Sequence, residues 1–287
     1  MCDVPHASVC GGRGRCTTCR VRIEGASANA LHKPTSLEQS ALDRIHAAPN
    51  IRLACQCRPS DAIQITPLVL PHVEPEEILA KNNINCEERD VLAMFVDLRG
   101  STDLAERKLP YDILFILNLF MSEMSEAIEK SNGHYAHFAG DGIMALYGLE
   151  DGIEKGCRDA MRAAVDMQKR LDQINENLAS ELDTPLKMGI GLHCGEAIVG
   201  LMGPPTSPNI TAIGDNINTA ARLEAHAGKM QCGLVLSQDV AKFAKCDLSK
   251  FPTEAAKLKG KRKSIDVIMI ENILDVEACL DGAKKNA

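Results

Sequence analysis

The segment Cys10-Gly-Gly-Arg-Gly-Arg-Cys16-Thr-Thr-Cys19 places three thiols within ten residues, on a stretch too rich in glycine for a helix or a strand interior. A fourth thiol stands in Arg52-Leu-Ala-Cys55-Gln, with Cys57 just beyond. The chain holds 12 Cys in 287 residues. At that length a core forms without disulfide staples. The start, Met1–Cys10, has no apolar signal-like run, and no run of about 18 apolar residues occurs anywhere. These features predict a cytoplasmic protein without a membrane segment, in which thiols stay reduced and clustered cysteines read first as metal ligands.

Three ligands on one tight loop and a fourth far along the chain is how iron–sulfur clusters are held, with glycines letting backbone N–H groups turn toward sulfide. A zinc site is one alternative, although it prefers paired C-x2-C units and one such pair is present. Buried reduced cysteines are the other. The five-residue first gap and the phrase Arg52-Leu-Ala-Cys55-Gln56 resemble the adrenodoxin-like branch of the [2Fe–2S] ferredoxin family, over residues 4–70. The resemblance implies a small β-grasp type domain with Cys10, Cys16, Cys19 and Cys55 as cluster ligands and Cys57 as a spare thiol. Only nine residues precede Cys10, so the domain is expected to lack its first hairpin.

Charge divides the chain. Residues 1–71 carry eight Lys/Arg and five Asp/Glu, a balance of +3, which leaves -10 for the remainder of a chain whose net charge is -7. The balance argues against nucleic acid as a partner. The shift falls near Pro67-Leu-Val-Leu-Pro71, and the expected division is 1–71, a linker over 72–90, a second domain over 91–271 and a tail over 272–287.

In the second domain, Val91–Val96 reads as a buried strand delivering Asp97 at its end. Leu98-Arg-Gly100-Ser101-Thr102 reads as a small-residue turn, with Ser101 or Thr102 placed to cap a helix whose free N–H groups suit phosphate. Helical periodicity follows over 111–130 (Ile113, Leu114, Leu117, Phe120, Met121, Met124, Ile128). Two strand-like runs flank Gly140-Asp141-Gly142 and predict a hairpin with Asp141 at its tip. Aspartates on adjacent strands can share divalent cations with a substrate phosphate. Leu186–His193 and Glu196–Met202 read as another hairpin around Cys194-Gly195. Asn218 and Arg222, four apart, share one face of a helix begun at Asp215 or Asn216.

Four phrases in order resemble the class III nucleotidyl cyclase catalytic domain. They are Phe95-Val-Asp97-Leu-Arg-Gly-Ser-Thr102, Gly140-Asp141-Gly-Ile-Met-Ala145, Gly191-Leu-His-Cys-Gly195 and Gly214-Asp-Asn-Ile-Asn218-Thr-Ala-Ala-Arg222-Leu-Glu224. The resemblance runs from Val91 to Ile270. It implies an α+β fold, a ferredoxin-like βαββαβ cyclase domain with the small [2Fe–2S] domain in front. It also implies conversion of ATP to 3′,5′-cyclic AMP and pyrophosphate. Asp97, the Leu98 carbonyl and Asp141 match ligands for two Mg²⁺ or Mn²⁺ ions. Asn218 matches the ribose-orienting residue, and Arg222 the one that stabilises charge at the α-phosphate. The loop Gly100-Ser101-Thr102 faces phosphate. His137 and Thr211 fall at the base-reading positions, where His137 stands in place of the usual Lys, so ATP is favoured and GTP is the alternative. Lys257–Lys263, with five basic residues in seven, matches the family's late hairpin, with Lys261 toward the triphosphate. The family's catalytic parts lie on opposite sides of a dimer interface, which implies a homodimer with composite sites.

Two further readings stand beside this one. In the first, the chain is an electron-transfer module with a redox partner and a non-catalytic cyclase fold. In the second, the cluster's oxidation state tunes cyclase activity through His72–Arg89.

Overall fold

The computed structural model describes residues 8, 10–24, 30–69, 87–139, 142–202, 209–261 and 263–282. The chain divides into two compact units, the first ending at Asn85 and the second starting at Cys86. Most of the expected 72–90 linker lies outside the described residues.

The first unit is a three-stranded antiparallel sheet and one helix. Strand β1 (Arg20–Glu24) lies between β2 (Ile51–Leu53) and β3 (Gln64–Pro67). Helix α1 (Ser36–Arg44) starts where the Thr35 side chain accepts from the Glu38 amide, an N-cap. Cys19, Ala41, Leu42, Ile51 and Leu53 form its core. So small a core leaves the unit dependent on polar anchoring.

The second unit starts with β4 (Glu87–Arg99), four residues earlier than the apolar run at Val91 indicates. Helices α2 (Ser101–Arg107) and α3 (Pro110–Lys130) follow, then the hairpin β5 (His134–Ala139) and β6 (Gly142–Tyr147). Helix α4 (Ile153–Asn177) leads to β7 (Lys187–Met202), β8 (Asn209–Ile213) and α5 (Asp215–Met230). Next come β9 (Leu234–Ser237), α6 (Gln238–Ala244), the hairpin β10 (Thr253–Ala256) and β11 (Ile265–Ile270), a short 3₁₀ turn at Ile273–Val276 and α7 (Glu277–Gly282). The sheet order is β10-β11-β9-β7-β4-β6-β5, with β8 on β7. Its β7-β4-β6-β5 portion joins β4, α3, β5, β6, α4 and β7 in the expected βαββαβ order.

Alternation along β4 explains the layering. Leu92, Met94, Val96 and Leu98 pack with Phe120 and Met124 of α3 and Ala160, Met161 and Ala164 of α4. Val91, Ala93 and Phe95 point the other way, where Ile217 and Ala220 of α5 pack. Asp97 and Arg99 therefore share the α5 face.

Three local expectations are corrected. Strand β7 runs unbroken through Cys194-Gly195, which pair in register with Leu92 and Val91. A buried thiol and a glycine with no positive φ lack the chemistry of a tight turn. At α2 the N-cap is Gly100, with φ of 72°, and no side chain caps the helix; Ser101 is already its first residue. In α3 the buried stripe is Ile116, Phe120, Met124, Ala127 and Ile128, whereas Leu114 is exposed.

Helix α5 lies directly on β7. A Cβ at Gly191 would overlap the Ala220 carbonyl oxygen and the Glu224 amide, and would stand 2.8 Å from Glu224 Cα. Gly191→Ala is expected to cost about 1–3 kcal/mol by pushing helix from sheet. A thermal melt checks it, and an unchanged midpoint would contradict so close a seat.

Candidate functional site

Asp97, half-buried, ends β4 in register between Gly142 of β6 and Gly189 of β7. Neither neighbour carries a side chain, and the Arg99 guanidinium fills the space over Gly189. Gly142 follows Asp141 in the chain; Asp141 itself lies outside the described residues. The Leu98 side chain is buried on the opposite face. Gly100 and Ser101 stand two and three residues beyond Leu98, at the start of α2. Of Thr102 and His137 the backbone alone is described. His137 pairs with Met144 beside a bulge at Tyr135/His137, a device that re-aims side chains.

The second group gathers around the start of α5. Asn218 is exposed on the helix, its amide reaching the Gly214 carbonyl at 3.5 Å. The Arg222 guanidinium extends to the β10–β11 turn, where a Cβ on Gly260 would stand 3.4 Å from Nη2. In that turn Lys261 forms an ion pair with Asp215, the first residue of α5. Thr211 is half-buried on β8, opposite Gly200. Asn218, Arg222 and Lys261 are thus brought together. The Asp215 partner and one neighbour were not legible beforehand. That neighbour is His193 of β7, whose Nδ1 lies 2.8 Å from Ser237 Oγ. Burial and nearby Lys261 hold its pKa down to about 4, so it is neutral at ordinary pH.

The two groups stand apart in one chain. Asn216 donates to the Gly195 carbonyl at 2.7 Å, at the level of Val91. Val91 is six residues from Asp97, about 20 Å at about 3.3 Å per residue. Asn218 is only two residues past Asn216 and faces outward.

In the first unit the four thiols stand near one another. Cys19 donates to Cys55 across 3.4 Å, Cys16 Sγ lies 3.0 Å from Thr18 Oγ1, and Cys10 lies beside Cys16. The linking loop turns through Gly11, Gly12 and Gly14, all with positive φ. Burial raises the Cys10 pKa, but the amides of Cys16, Arg15 and Arg13, with the Cys16 side chain, bring it down to about 7. Burial and Cys55 push Cys19 up to about 12. Gln56 straps the loop by donating to the Gly12 carbonyl at 2.8 Å. Behind Cys55, buried Glu38 takes two 2.8 Å bonds from Arg52 and one of 2.9 Å from the Leu53 amide. Cys57 is buried, and its thiol pKa is raised by that burial.

Among the described residues no three His, Cys, Asp or Glu side chains converge on a single ion position. Four thiols near one another supply what a [2Fe–2S] cluster needs, two thiolates on each of two irons.

Residues 85–271 match the family described as adenylate and guanylate cyclase catalytic domain. The chain belongs to that family. Residues 2–60 match the 2Fe-2S iron-sulfur cluster binding domain, so this cyclase-family chain carries an iron–sulfur type domain in front. An adenylate cyclase of Anabaena cylindrica is 30% identical over 190 residues, 64% of this chain and 37% of that protein. Adenylate cyclase 1 of Rhizobium meliloti is 27% identical over 187 residues, 65% and 28% of the two chains. The chain thus spans about a third of the length of these curated relatives. Among solved structures, the adenylyl cyclase CyaB from P. aeruginosa matches with a TM-score of 0.59 at 24% identity, covering 66% of this chain and 96% of that one. The guanylyl cyclase Cya2 matches with the same score and identity, covering 64% and 93%. At such identities the likeness is one of fold, and it agrees with the expected α+β class. Among the described residues no helix is long and apolar enough to cross a membrane.

Proposed function

We propose that the chain is an adenylate cyclase acting as a homodimer with two composite sites. The observation that carries the reading is the separation of Asp97 from Asn218, which faces outward at the start of α5. A second copy of the chain then supplies the ribose-orienting half beside Asp97. The exposed pair Ile198 and Ile213, opposite each other on β7 and β8, gives that copy an apolar surface to cover.

Asp97, with Asp141 and the Leu98 carbonyl, holds the cation side of the site. Mg²⁺ or Mn²⁺ bound there supplies a more acidic ribose 3′-hydroxyl and charge neutralisation of the triphosphate. The partner's Asn218 orients the ribose so that its 3′-oxygen is in line with the α-phosphorus. The partner's Arg222 meets the charge that develops on the α-phosphate. Lys261 exchanges Asp215 for triphosphate oxygens, and Gly100-Ser101-Thr102 lines the phosphates. The 3′-hydroxyl loses its proton to water, its oxygen bonds to the α-phosphorus, and the bond from that phosphorus to the α–β bridging oxygen breaks, so that pyrophosphate leaves with the bridging oxygen. Thr211 and His137 read the base. That the curated relatives are named adenylate cyclases supports the reading of ATP over GTP.

Cys10, Cys16, Cys19 and Cys55 hold the [2Fe–2S] cluster, which supplies one-electron transfer; its oxidation state tunes turnover. Ten cysteines among the described residues stand as thiols, which accords with a reducing cytoplasm.

Turnover on ATP and GTP with Mg²⁺ or Mn²⁺ tests the substrate. ATP is expected to be preferred, and His137→Lys to strengthen that preference. An unchanged ATP/GTP ratio in the variant would remove His137 from base reading.

A further inference from the structure

Arg99 closes β4 two residues past Asp97, on the same face of the strand, and its guanidinium is held more closely than a surface arginine's. Nη2 donates to the Glu224 carbonyl at 3.1 Å and stands 2.9 Å from Glu224 Oε1. The guanidinium lies between two glycines. A Cβ on Gly189 would fall 2.6 Å from Nε and nearer still to the rest of the group, and one on Gly228 would fall 2.5 Å from Nη1. Gly189 lies on the sheet, directly across from Asp97, and Gly228 lies on α5. The Arg99 side chain is 26% exposed and that of Glu224 15%. Any larger residue at position 189 or 228 would displace the guanidinium from its slot.

Glu224 follows Arg222 by two residues on α5. The helix rests on β7 at Gly191, and the Arg99–Glu224 pair fixes it farther along. Strand β4 is central and paired on both sides, so it is the fixed member and α5 the one that is placed.

We infer that Arg99 is a positioning residue that sets α5, and with it Asn218 and Arg222, against the sheet for turnover. Within one subunit it ties the strand carrying the cation aspartate of one composite site to the helix serving the other. This rests on the composite-site cyclase reading. Nη2 alone meets both the carbonyl and the carboxylate, while the rest of the planar guanidinium fills the slot between the two glycines, a shape that lysine's compact ammonium lacks.

The test is subunit complementation with the full chain. Arg99→Met is expected to lower kcat about 10- to 100-fold with little change in KM, since a misplacement near 1 Å costs that much. Arg99→Lys is expected to restore part of it. Mixed with Asp97→Ala, Arg99→Met is expected to recover activity, because one site then has an intact cation half and an intact α5 half. Mixed with Arg222→Ala it is expected to stay inactive, because both chains then lack the α5 half. If Arg99→Met does not yield folded protein, Glu224→Gln takes its place. Full activity of either variant alone, recovery only with Arg222→Ala, or recovery with neither would overturn the inference. The Asp97→Ala plus Arg222→Ala mixture is the control. Its recovery leaves the cyclase reading standing whatever Arg99 does, and its failure refutes that reading itself.

Discussion

Arg222→Ala is expected to lower turnover about 100- to 1,000-fold with the fold intact, the usual cost of removing one preorganised donor from a developing charge. Arg222 is half-buried beside the β10–β11 turn. Asp97→Ala is expected to be at least as severe, because it removes the described carboxylate of the cation side. The informative experiment is their mixture. At equal amounts about half of the dimers contain one chain of each kind, and each such dimer has one intact site of two. Recovery of about a quarter of the wild-type rate follows. A site complete within one chain gives no recovery at all.

Arg52→Met is expected to destabilise the first unit by about 3–5 kcal/mol, because it leaves the Glu38 carboxylate buried without its partner. Glu38 is fully buried and Arg52 is 7% exposed. For a unit with so small a core that is a large part of the available stability. The double variant Arg52→Met, Glu38→Leu is expected to recover much of the loss, since no charge is then stranded. Chemical unfolding followed through the iron–sulfur absorbance measures both, and equal losses in the single and double variants would contradict the account. The same pair sets an acid limit. Burial raises the Glu38 pKa, but the Arg52 guanidinium and the Leu53 amide outweigh it and leave the pKa below its ordinary 4.5. A depressed carboxylate pKa gives stability that is complete above the unfolded value and fades as pH falls through the folded one. The first unit should therefore weaken only below pH 4.5, and Arg52→Met should push that dependence toward the opposite sign, because burial of Glu38 then acts without the guanidinium.

Legibility followed local chemistry. The iron–sulfur type domain was readable because thiol spacing on a glycine loop has few uses. The strand at Val91–Val96 and the helix over 111–130 were readable from periodicity, although α3 turned out rotated, leaving Leu114 in solvent. Helix α4 carries a buried stripe, Met161, Ala164, Met167, Leu171 and Ile174, at helical spacing, so periodicity marks it as well. The false hairpin at Cys194-Gly195 came from treating a glycine as a turn, when it makes room for Asn216 beside β7. Arg99 and Asp215 were invisible because each acquires its role from a partner more than 40 residues away, Glu224 and Lys261. Such long-range pairs leave no mark on local spacing.

The central claim is that a ribose 3′-oxygen is joined to the α-phosphorus by side chains drawn from two copies of this chain. Phosphorus NMR of the full-length protein incubated with ATP and Mn²⁺ addresses it directly. The account predicts a cyclic phosphodiester resonance and pyrophosphate growing in equal amounts, absent with Asp97→Ala and restored when that variant is mixed with Arg222→Ala. No cyclic phosphodiester from ATP or GTP would contradict it and leave the iron–sulfur unit as the chain's active part.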